Sequence, residues 1–597
     1  GMESAKPELD ITLQLQEASA DINQLGLSVA AIQGPLRYRT GQGFTGTELQ
    51  GQTLGGSVLL RTLETSDSGM DLRLDGEIDT ASIAVWLSQP LLNFSSGKTA
   101  VSGQLLLSDK SNPRFTLDSD LLGVTFDAPR PFAKSADQPL SLDVTIPLSP
   151  DPMLALALGE RLQMQLVFAD KALAKLAASV GGAAVDLRGC SQKICLTGAV
   201  SSLDVTQWSD FYRRYSTADA AASGDPGPSY QIDSLDIGEL RLSSRSLGRA
   251  RVDLWGMTNL WQGAIESAPL QGSLTRKDGE LSLLLEHFDV SRFGGGEPLT
   301  LEQVLATVPN MRVDILELRS ADRVLGNVGF ALDTGQPDGA LYATDIQGEL
   351  WGLQLDAPRP GMLRWFAEAG AELTALEVDA AFTDLGQVMS RAGFAPTLES
   401  EAGSMSVRLR WPGPPSGFSV KNAQGSVAMA ARNGRLLESG PGALSMISFL
   451  NFAEILRGLS LSHMFESGIP FVTASAEVHL QKGVLEVADL QIDGAASAFS
   501  FTGISNLQQG DINGELLVTL PVASNLPWVA ALAAGPAVAA GVFVVSKVFE
   551  KQVNRMSSAI YEVSGPIQTP TVKFRRLFDD KLNPTTEAPE DTGTGGG

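Results

Sequence analysis

The sequence predicts a mostly β protein built on one long antiparallel sheet that is curled on itself, with a few short helices and a helical C-terminal end. Three observations predict this class. Apolar and polar residues alternate along many short segments, as in strands with one buried face. Turn-forming residues, among them 61 glycines, separate these segments roughly every 8–15 residues. Helical patterns are few and short, so helices cannot cover so much sheet.

The strand pattern is clearest where every second residue is apolar. These stretches are residues 70–74, 140–146, 162–166, 407–411 and 499–501, and a further strand is predicted at 561–565. Helices are predicted at 80–92, 205–215, 384–392, 442–459 and 528–558. Because so few helices are available, the sheet must cover its own apolar face as a sandwich, a series of barrels or a curled trough. The alternation is the same in all three, so the pattern alone does not choose between them.

Composition excludes several classes of function. The net charge of −24 and the lack of basic clusters argue against nucleic acid as a partner, because nucleic-acid binding requires basic groups that neutralise phosphates. The same acidity argues against broad electrostatic docking on anionic lipid headgroups. Charged residues make up only 19 % of the chain, which is too few for a disordered polyanion.

Two cysteines lie close together, at Cys190 and Cys195. One close pair fits a disulfide across a strand, turn and strand in an oxidising compartment. Two free thiols in a cytosolic protein remain the alternative. A metal site is less favoured, since there is no second cysteine pair and the histidines are distant in the sequence.

The sequence offers no catalytic constellation. None of the histidines, His287, His463 and His479, neighbours a plausible nucleophile or metal partner, and His479 is expected on the polar side of a strand. Residues 41–46 match G-x-G-x-x-G, but strand and turn residues follow instead of the helix that would hold a pyrophosphate. We therefore expect no enzymatic activity and no cofactor.

An uncharged run at 528–545 has nearly transmembrane length, but a Gly-Pro step near its middle would break or kink a helix. Three structures are compatible with it: a spanning helix, a helical hairpin or plug that closes the end of the sheet, and an interfacial helix. In the interfacial case Trp528 and Phe543 are the anchors, and basic residues face the headgroups. These basic residues are Lys547, Lys551 and Arg555.

Both ends of the chain and one internal segment have a distinct composition. Residues 1–10 are polar and lack the apolar core of a signal peptide, so we expect a cytosolic protein or a fragment whose N-terminal part has been removed. Residues 216–229 have the composition of a linker or long loop. Residues 579–597 are acidic and rich in Pro, Gly and Thr, which predicts a disordered tail.

Several short motifs together resemble the AsmA-like superfamily, specifically its YhdP branch. The densest matches are C-terminal, at 433–437 (NGRLL), 442–445 (GALS), 449–451 (FLN), 459–465, 521–536 and 561–565 (YEVSG). Further matches lie upstream, at 202–204 (SLD) with Trp208, 324–326 (VLG), 363–365 (LRW) and 410–413 (RWPG). The resemblance covers most of residues 20–575, and this chain would be a C-terminal portion that lacks the N-terminal membrane anchor of the family.

The resemblance implies an elongated β-groove (β-taco-like) in the periplasm of a Gram-negative envelope, anchored to the inner membrane in the full-length protein. It assigns residues 1–215 and 230–430 to groove segments and residues 431–578 to the AsmA-like C-terminal region with apolar helices. The implied function is transport of phospholipid between the inner and outer membranes. The implied partners are phospholipid acyl chains, a membrane at the C-terminal end and other envelope proteins. The alternative is a structural or scaffold protein of the envelope with a dry, filled core.

Overall fold

The computed structural model describes most of the chain, in two compact units. Unit 1 is Gly1–Glu297 and unit 2 is Pro298–Gly597. The described residues are 9–22, 27–40, 43–63, 70–108, 111–149, 153–169, 172–182, 184–219, 229–242, 245–257, 260–293, 298–356, 358–394, 396, 398–437, 468–495, 497–521, 556–567 and 569–578. The predicted domain boundaries at 215, 229 and 430 remain predictions.

Unit 1 consists mostly of strands. They are β1 (Asp10–Ile22), β2 (Leu27–Arg39), β3 (Gly43–Phe44), β4 (Glu48–Thr53), β5 (Gly56–Leu63), β6 (Met70–Asp79), β7 (Ser95–Ser96), β8 (Lys98–Ser108), β9 (Ser111–Ser119), β10 (Thr125–Phe126), β11 (Leu142–Pro147), β12 (Met153–Leu158), β13 (Leu162–Ala169), β14 (Ala172–Val180), β15 (Ile194–Val200), β16 (Leu203–Asp204), β17 (Tyr230–Leu242), β18 (Arg245–Met257), β19 (Leu260–Ser267), β20 (Leu270–Lys277) and β21 (Glu280–Asp289). In the described part of unit 1, two α-helices lie between the strands, α1 (Thr80–Leu87) and α2 (Val205–Asp219), with three short 3-10 helices, Pro90–Phe94, Leu187–Gly189 and Val290–Phe293.

Unit 2 has the same character. Its strands are β22 (Met311–Ser320), β23 (Arg323–Asp333), β24 (Leu341–Leu350), β25 (Leu353–Gln354), β26 (Gly361–Glu368), β27 (Ala371–Phe382), β28 (Leu398–Pro412), β29 (Gln424–Leu436), β30 (Ile469–Gln481), β31 (Val484–Asp493), β32 (Ala498–Asn506), β33 (Asp511–Pro521), β34 (Met556–Pro566) and β35 (Thr571–Phe578). Its described helices are α3 (Leu301–Thr307), α4 (Leu385–Ala392) and a 3-10 turn at Pro415–Gly417.

The large number of strands confirms the mostly β prediction. Strands that follow one another in the chain mostly pair side by side. In unit 2 every described pairing, from β22 with β23 to β34 with β35, is antiparallel. Unit 1 departs from the predicted antiparallel order: β15 is parallel to β14, and β17 is parallel to β15 and β16. A parallel pair needs a connection that returns to the starting edge. Residues 181–193 and the segment that contains α2 are these connections.

The predicted helices at 80–92, 205–215 and 384–392 are confirmed as α1, α2 and α4. α1 is shorter than predicted because Ser88 adopts a left-handed conformation (φ 51°) and ends it. α2 is longer and ends at Asp219, so it takes in the first residues of the segment 216–229. α4 begins after Asp384, whose Oδ1 accepts a hydrogen bond from the Gly386 amide at 2.8 Å, as a helix N-cap does.

The remaining helix predictions differ in outcome. The helix at 442–459 and residues 528–555 of the last predicted helix lie outside the described residues. The end of that last prediction is wrong, because residues 556–558 begin β34. Ser558 pairs there with Thr519 of β33, and their hydroxyls are 2.8 Å apart. α3 was not predicted, although Thr300 and Gln303 cap each other reciprocally at its start, a pattern that the sequence displays.

Candidate functional site

A continuous row of apolar residues crosses the sheet of unit 1. Each member faces the next one directly on the neighbouring strand, from β4 to β21. The members are Leu49, Leu60, Leu74, Gly103, Leu117, Val144, Leu156, Met164, Ala178, Leu196, Ile232, Leu254, Gly263, Leu274 and Leu283. We call these fifteen residues, one from each of fifteen strands, the apolar row. None of them is charged or polar.

The side chains of the apolar row are covered only in part. Every member larger than alanine, from Leu49 to Leu283, is half-buried, and the buried members are Gly103, Ala178 and Gly263. A residue between two packed layers of a sandwich would be fully buried. Among the described residues, the apolar row therefore lies on a face that is covered only in part. Leu196 and Ile232 pack against a buried cluster that includes Val180 and Ile237, so the cover is local.

The opposite face of the same strands is polar. One residue along from the apolar row, Asp75 faces Ser102, Ser102 faces Asp118 and Asp118 faces Asp143. Hydrogen bonds from Ser102 and Arg73 lower the pKa of Asp75. Desolvation and the adjacent Asp143 carboxylate raise the pKa of Asp118. These charges stay on the solvent side, so the two faces of the sheet differ sharply in polarity.

The predicted cysteine pair lies on this polar face. Cys190 and Cys195 are joined as a disulfide, with Cα atoms 5.6 Å apart, and both are buried against Ala177. The Leu187 amide donates a hydrogen bond to Gln165 Oε1 at 3.2 Å. Ala177 and Gln165 face each other one residue along from the apolar row. The connection from β14 to β15 therefore crosses the polar face and leaves the apolar face free.

An aromatic cluster lies at one edge of the apolar face, beside the first residue of β13 and the last residue of β14. Phe132, from the loop after β10, and Leu162 both pack against the buried cluster that contains Val180. The ring centroid of Phe132 is 5.9 Å from that of Trp208 in α2. The Trp208 Nε1 donates a hydrogen bond to the Arg130 carbonyl at 3.3 Å. α2 is thus held against this edge of the apolar face.

Other contacts complete this cluster, which we call the aromatic clamp: Phe94, Phe132, Trp208 and Phe211. The Phe211 centroid lies 5.7 Å from that of Trp208 and 4.8 Å from that of Phe94. The Arg214 guanidinium lies over Phe94 at 5.4 Å, and it forms an ion pair with the Asp127 carboxylate at 2.8 Å. The clamp ties together three segments that are far apart in the sequence.

A buried lysine braces the loop that carries Phe132. Lys134 Nζ donates hydrogen bonds to the carbonyls of Leu121, Val124 and Ser135 at 2.7, 2.8 and 3.1 Å. Desolvation lowers the pKa of Lys134. The three ammonium hydrogens thus have three carbonyl acceptors, which compensates for burying the charge.

The sealed core is larger in unit 2 than in unit 1, where a smaller buried cluster lies around Val180 and Ile237. A large core extends from β27 to β35, and its centre is sealed from solvent: Phe501, Leu516 and Val563 are each 0 % exposed. Tyr561 is also buried, and desolvation raises the pKa of its hydroxyl. Its ring centroid is 5.7 Å from that of Phe574. The C-terminal strands of unit 2 therefore enclose a filled interior.

The other residues singled out in the sequence have no comparable environment. Trp528, Phe543, Lys547, Lys551 and Arg555 lie outside the described residues. In the parts of the chain that the structure describes, no three His, Cys, Asp or Glu side chains are grouped so that they could hold a metal ion. Across the same residues, none of the helices combines the length and the apolar character needed to cross a membrane.

Two of the remaining predictions concern His287 and His479, which lie in β21 and β30. The nearest charged partner of His479 is the Glu477 carboxylate at 3.6 Å.

The apolar row and the aromatic clamp were not predicted. The alternation at 140–146 and 162–166 indicates that an apolar face exists, but only the strand register shows which residues align.

These features define a class of long-sheet proteins in which one face carries a continuous, partly covered row of residues, none of them polar in the part of the chain that the structure describes. The chain belongs to the YhdP protein family, within the AsmA-like superfamily, because the family model described as YhdP protein matches residues 3–572. It is 23 % identical over 211 residues, or 35 % of its length, to the intermembrane phospholipid transporter YhdP of Escherichia coli (strain K12). That alignment spans 17 % of the relative's length. No solved structure matches the chain.

Proposed function

We propose that this chain carries phospholipid acyl chains on the apolar face of unit 1, as part of a bridge that moves phospholipid between the inner and outer membranes of a Gram-negative envelope. The single observation that carries the proposal is the half-buried apolar row across fifteen strands. The family relationship and the E. coli relative's description as an intermembrane phospholipid transporter support it.

The physical case rests on the cost of exposing hydrocarbon to water. Transfer of a phospholipid through water would expose roughly 30 methylenes at about 0.8 kcal/mol each, on the order of 20 kcal/mol or more. Fifteen strands at about 4.8 Å each give a face roughly 70 Å long. The acyl chains of one leaflet occupy only about 15 Å, half of a bilayer's hydrocarbon core. The face is therefore long enough for a lipid to move along it without leaving it.

The composition of the row favours sliding over fixed binding. Its members are aliphatic residues, methionine and glycine, so successive positions offer similar and weak contacts. A bound headgroup would stay in solvent, and a lipid would meet no deep energetic trap along the row. The disulfide between Cys190 and Cys195 supports a periplasmic location. Contact of the segment around Trp528 and Phe543 with a membrane remains part of the proposal, as do the envelope protein partners.

Two matched double variants test the proposal. Leu156 and Met164 face each other in the apolar row, and Ala157 and Gln163 face each other on the polar face. Leu156→Glu with Met164→Glu places two carboxylates in the row, and we expect at least about a fivefold loss of bound phospholipid, because acyl chains would then bury charge. Ala157→Glu with Gln163→Glu adds the same charge to the other face and should retain the lipid.

The measurement is phospholipid per mole of purified chain, from mass spectrometry of organic extracts. Circular dichroism checks that both double variants fold, and an unrelated β protein treated in the same way gives the background. Equal lipid in both variants, or no lipid above background in the unaltered chain, would contradict the proposal.

A second candidate function is an envelope scaffold, and the filled core of unit 2 favours it. A scaffold needs a solid interior and no bound lipid. The lipid measurement separates the two functions, since a scaffold predicts background lipid in the unaltered chain and in both double variants.

A further inference from the structure

We infer that the lipid path of this chain does not run through the C-terminal strands of unit 2, where β30–β34 form a closed block. This inference rests on the proposed function, and it specifies where the acyl-chain site ends. The closed block is defined here as the residues of β30, β31, β32, β33 and β34, between Ile469 and Pro566. Its physical basis is a comparison of positions that share residue type, sheet face and register and differ in burial.

A row of valines in unit 2 provides this comparison. Each valine faces the next residue of the row on the neighbouring strand, with glycines on β32 and β33. The row consists of Val378, Val407, Val427, Val478, Val487, Gly503, Gly514 and Val563. We call it the valine row. It is the counterpart, within unit 2, of the apolar row of unit 1.

Burial rises from one valine of this row to the next, whereas Gly503 and Gly514, between Val487 and Val563, are half-buried. Val378, Val407 and Val427, on β27 to β29, are half-buried, like the members of the apolar row. Val478 on β30 and Val487 on β31 are 8 % and 2 % exposed. At the far end, on β34, the exposure of the valine has fallen to zero. Along this row the change from half-buried to sealed falls between β29 and β31. Leu409 and Ala431, on the same face of β28 and β29, are already 6 % and 2 % exposed, so the face of β27–β29 is open only in part.

The structure also shows what occupies the space at the sealed positions. Phe501 lies against the two glycines of the valine row. A Cβ at Gly503 or Gly514 would lie 2.8 or 2.5 Å from Phe501 Cζ. The ring therefore fills the place that side chains at these glycines would take. Leu516 and Tyr561, which face each other across β33 and β34, are also sealed.

A sealed and filled interior leaves no room for an acyl chain. Protein cores are packed as densely as organic crystals, with few voids larger than a water molecule. A lipid could enter the closed block only by displacing the side chains around Phe501 and Leu516. On the half-buried faces part of each side chain already meets solvent, so a lipid would have to displace fewer side chains. Acyl chains should therefore contact the apolar row, and they should not contact the block.

Photolabelling of the whole chain tests this inference directly. The probe is a phosphatidylcholine with a diazirine in one acyl chain, incorporated into the purified protein, and labelled peptides are identified by mass spectrometry. We expect adducts in β11, β12 and β13 of unit 1 and at least about tenfold fewer in β31–β34, because carbene insertion requires contact. Comparable labelling of the peptides that contain Val487 and Val563 would overturn the inference. Absence of adducts from the entire chain would overturn the proposed function, and the second measurement would then decide whether the block is closed.

A second measurement tests closure without any lipid. Val563→Ala and Val407→Ala make the same change in the same row. The first leaves a cavity in a filled core, and the second trims a half-buried side chain. We expect Val563→Ala to lower the thermal midpoint by about 2–4 °C and Val407→Ala to lower it by less than half as much. Equal shifts of the thermal midpoint in the two variants would contradict the inference that the block is closed. Unequal shifts without lipid adducts would leave the block closed and remove only the proposed function.

Discussion

At the scale of single residues, glycines leave space for aromatic side chains on the apolar face. A Cβ at Gly103 would lie 3.2 Å from both Cε2 and Cζ of Phe115, on the neighbouring strand. A Cβ at Gly256 would lie 2.2 Å from the Cβ of Trp261, so this glycine makes room for the base of that side chain. The sequence displays these glycines but not their partners, because the partner of each one depends on register and not on sequence distance.

Gly103→Val should therefore reduce lipid binding. The added methyl groups need the space of the Phe115 ring, which must turn away from the sheet and into the path of an acyl chain. We expect about a twofold or greater loss of bound phospholipid, measured per mole of purified chain. Thr116→Val is the matched control, since Thr116 adjoins Phe115 on the polar face and should leave lipid binding unchanged. Equal lipid content in the two variants would show that the Phe115 ring does not border the path.

At the scale of elements, α2 illustrates how far sequence reasoning reaches. Its amphipathic pattern predicts a helix at 205–215, and the structure confirms it with a later end at Asp219. Its partners could not be predicted: Phe94 and Phe132 lie 114 and 76 residues before Trp208 in the sequence (208 − 94 and 208 − 132). Local patterns identify an element, whereas its docking site depends on contacts between residues distant in sequence.

Trp208→Ala should loosen α2 without unfolding unit 1. The indole is half-buried and contacts Phe132, Phe211 and the Arg130 carbonyl. Its removal should therefore cost roughly 2 kcal/mol, below the 3–5 of a fully buried ring. Hydrogen exchange should become faster in Val205–Asp219 and stay unchanged in β11–β13. Tyr212→Ala, at a side chain that is 67 % exposed, is the control. Faster exchange of α2 in both variants would contradict a specific role of the clamp.

At the scale of the whole molecule, the alternation of apolar and polar residues predicted the strands well. It did not predict whether other residues would cover their apolar face. Residues 140–146 and 499–501 have the same alternating pattern. Yet Val144 is half-buried in unit 1, whereas Phe499 is 2 % exposed in unit 2. Whether a face is sealed depends on what the rest of the chain places over it, and period-two alternation carries no information about that. The alternation alone therefore left both a trough and a filled core open, and the two units differ in how much of the face is sealed.

The difference in burial between the two units predicts two levels of protection of backbone amides from hydrogen exchange. Amides of β31–β34 should exchange slowest, because opening them exposes a filled core, and amides of β8–β13 should exchange faster. Loading the delipidated protein with phospholipid should slow exchange in β8–β13 and leave β31–β34 unchanged, since a ligand stabilises only the regions that it contacts or orders. Hydrogen exchange with and without lipid, read by mass spectrometry on the whole chain, provides the measurement. Slowing that is equal in the two regions would mean that lipid reaches the closed block or acts on the fold as a whole. Slowing confined to β8–β13 would locate the acyl chains on the half-buried face of unit 1.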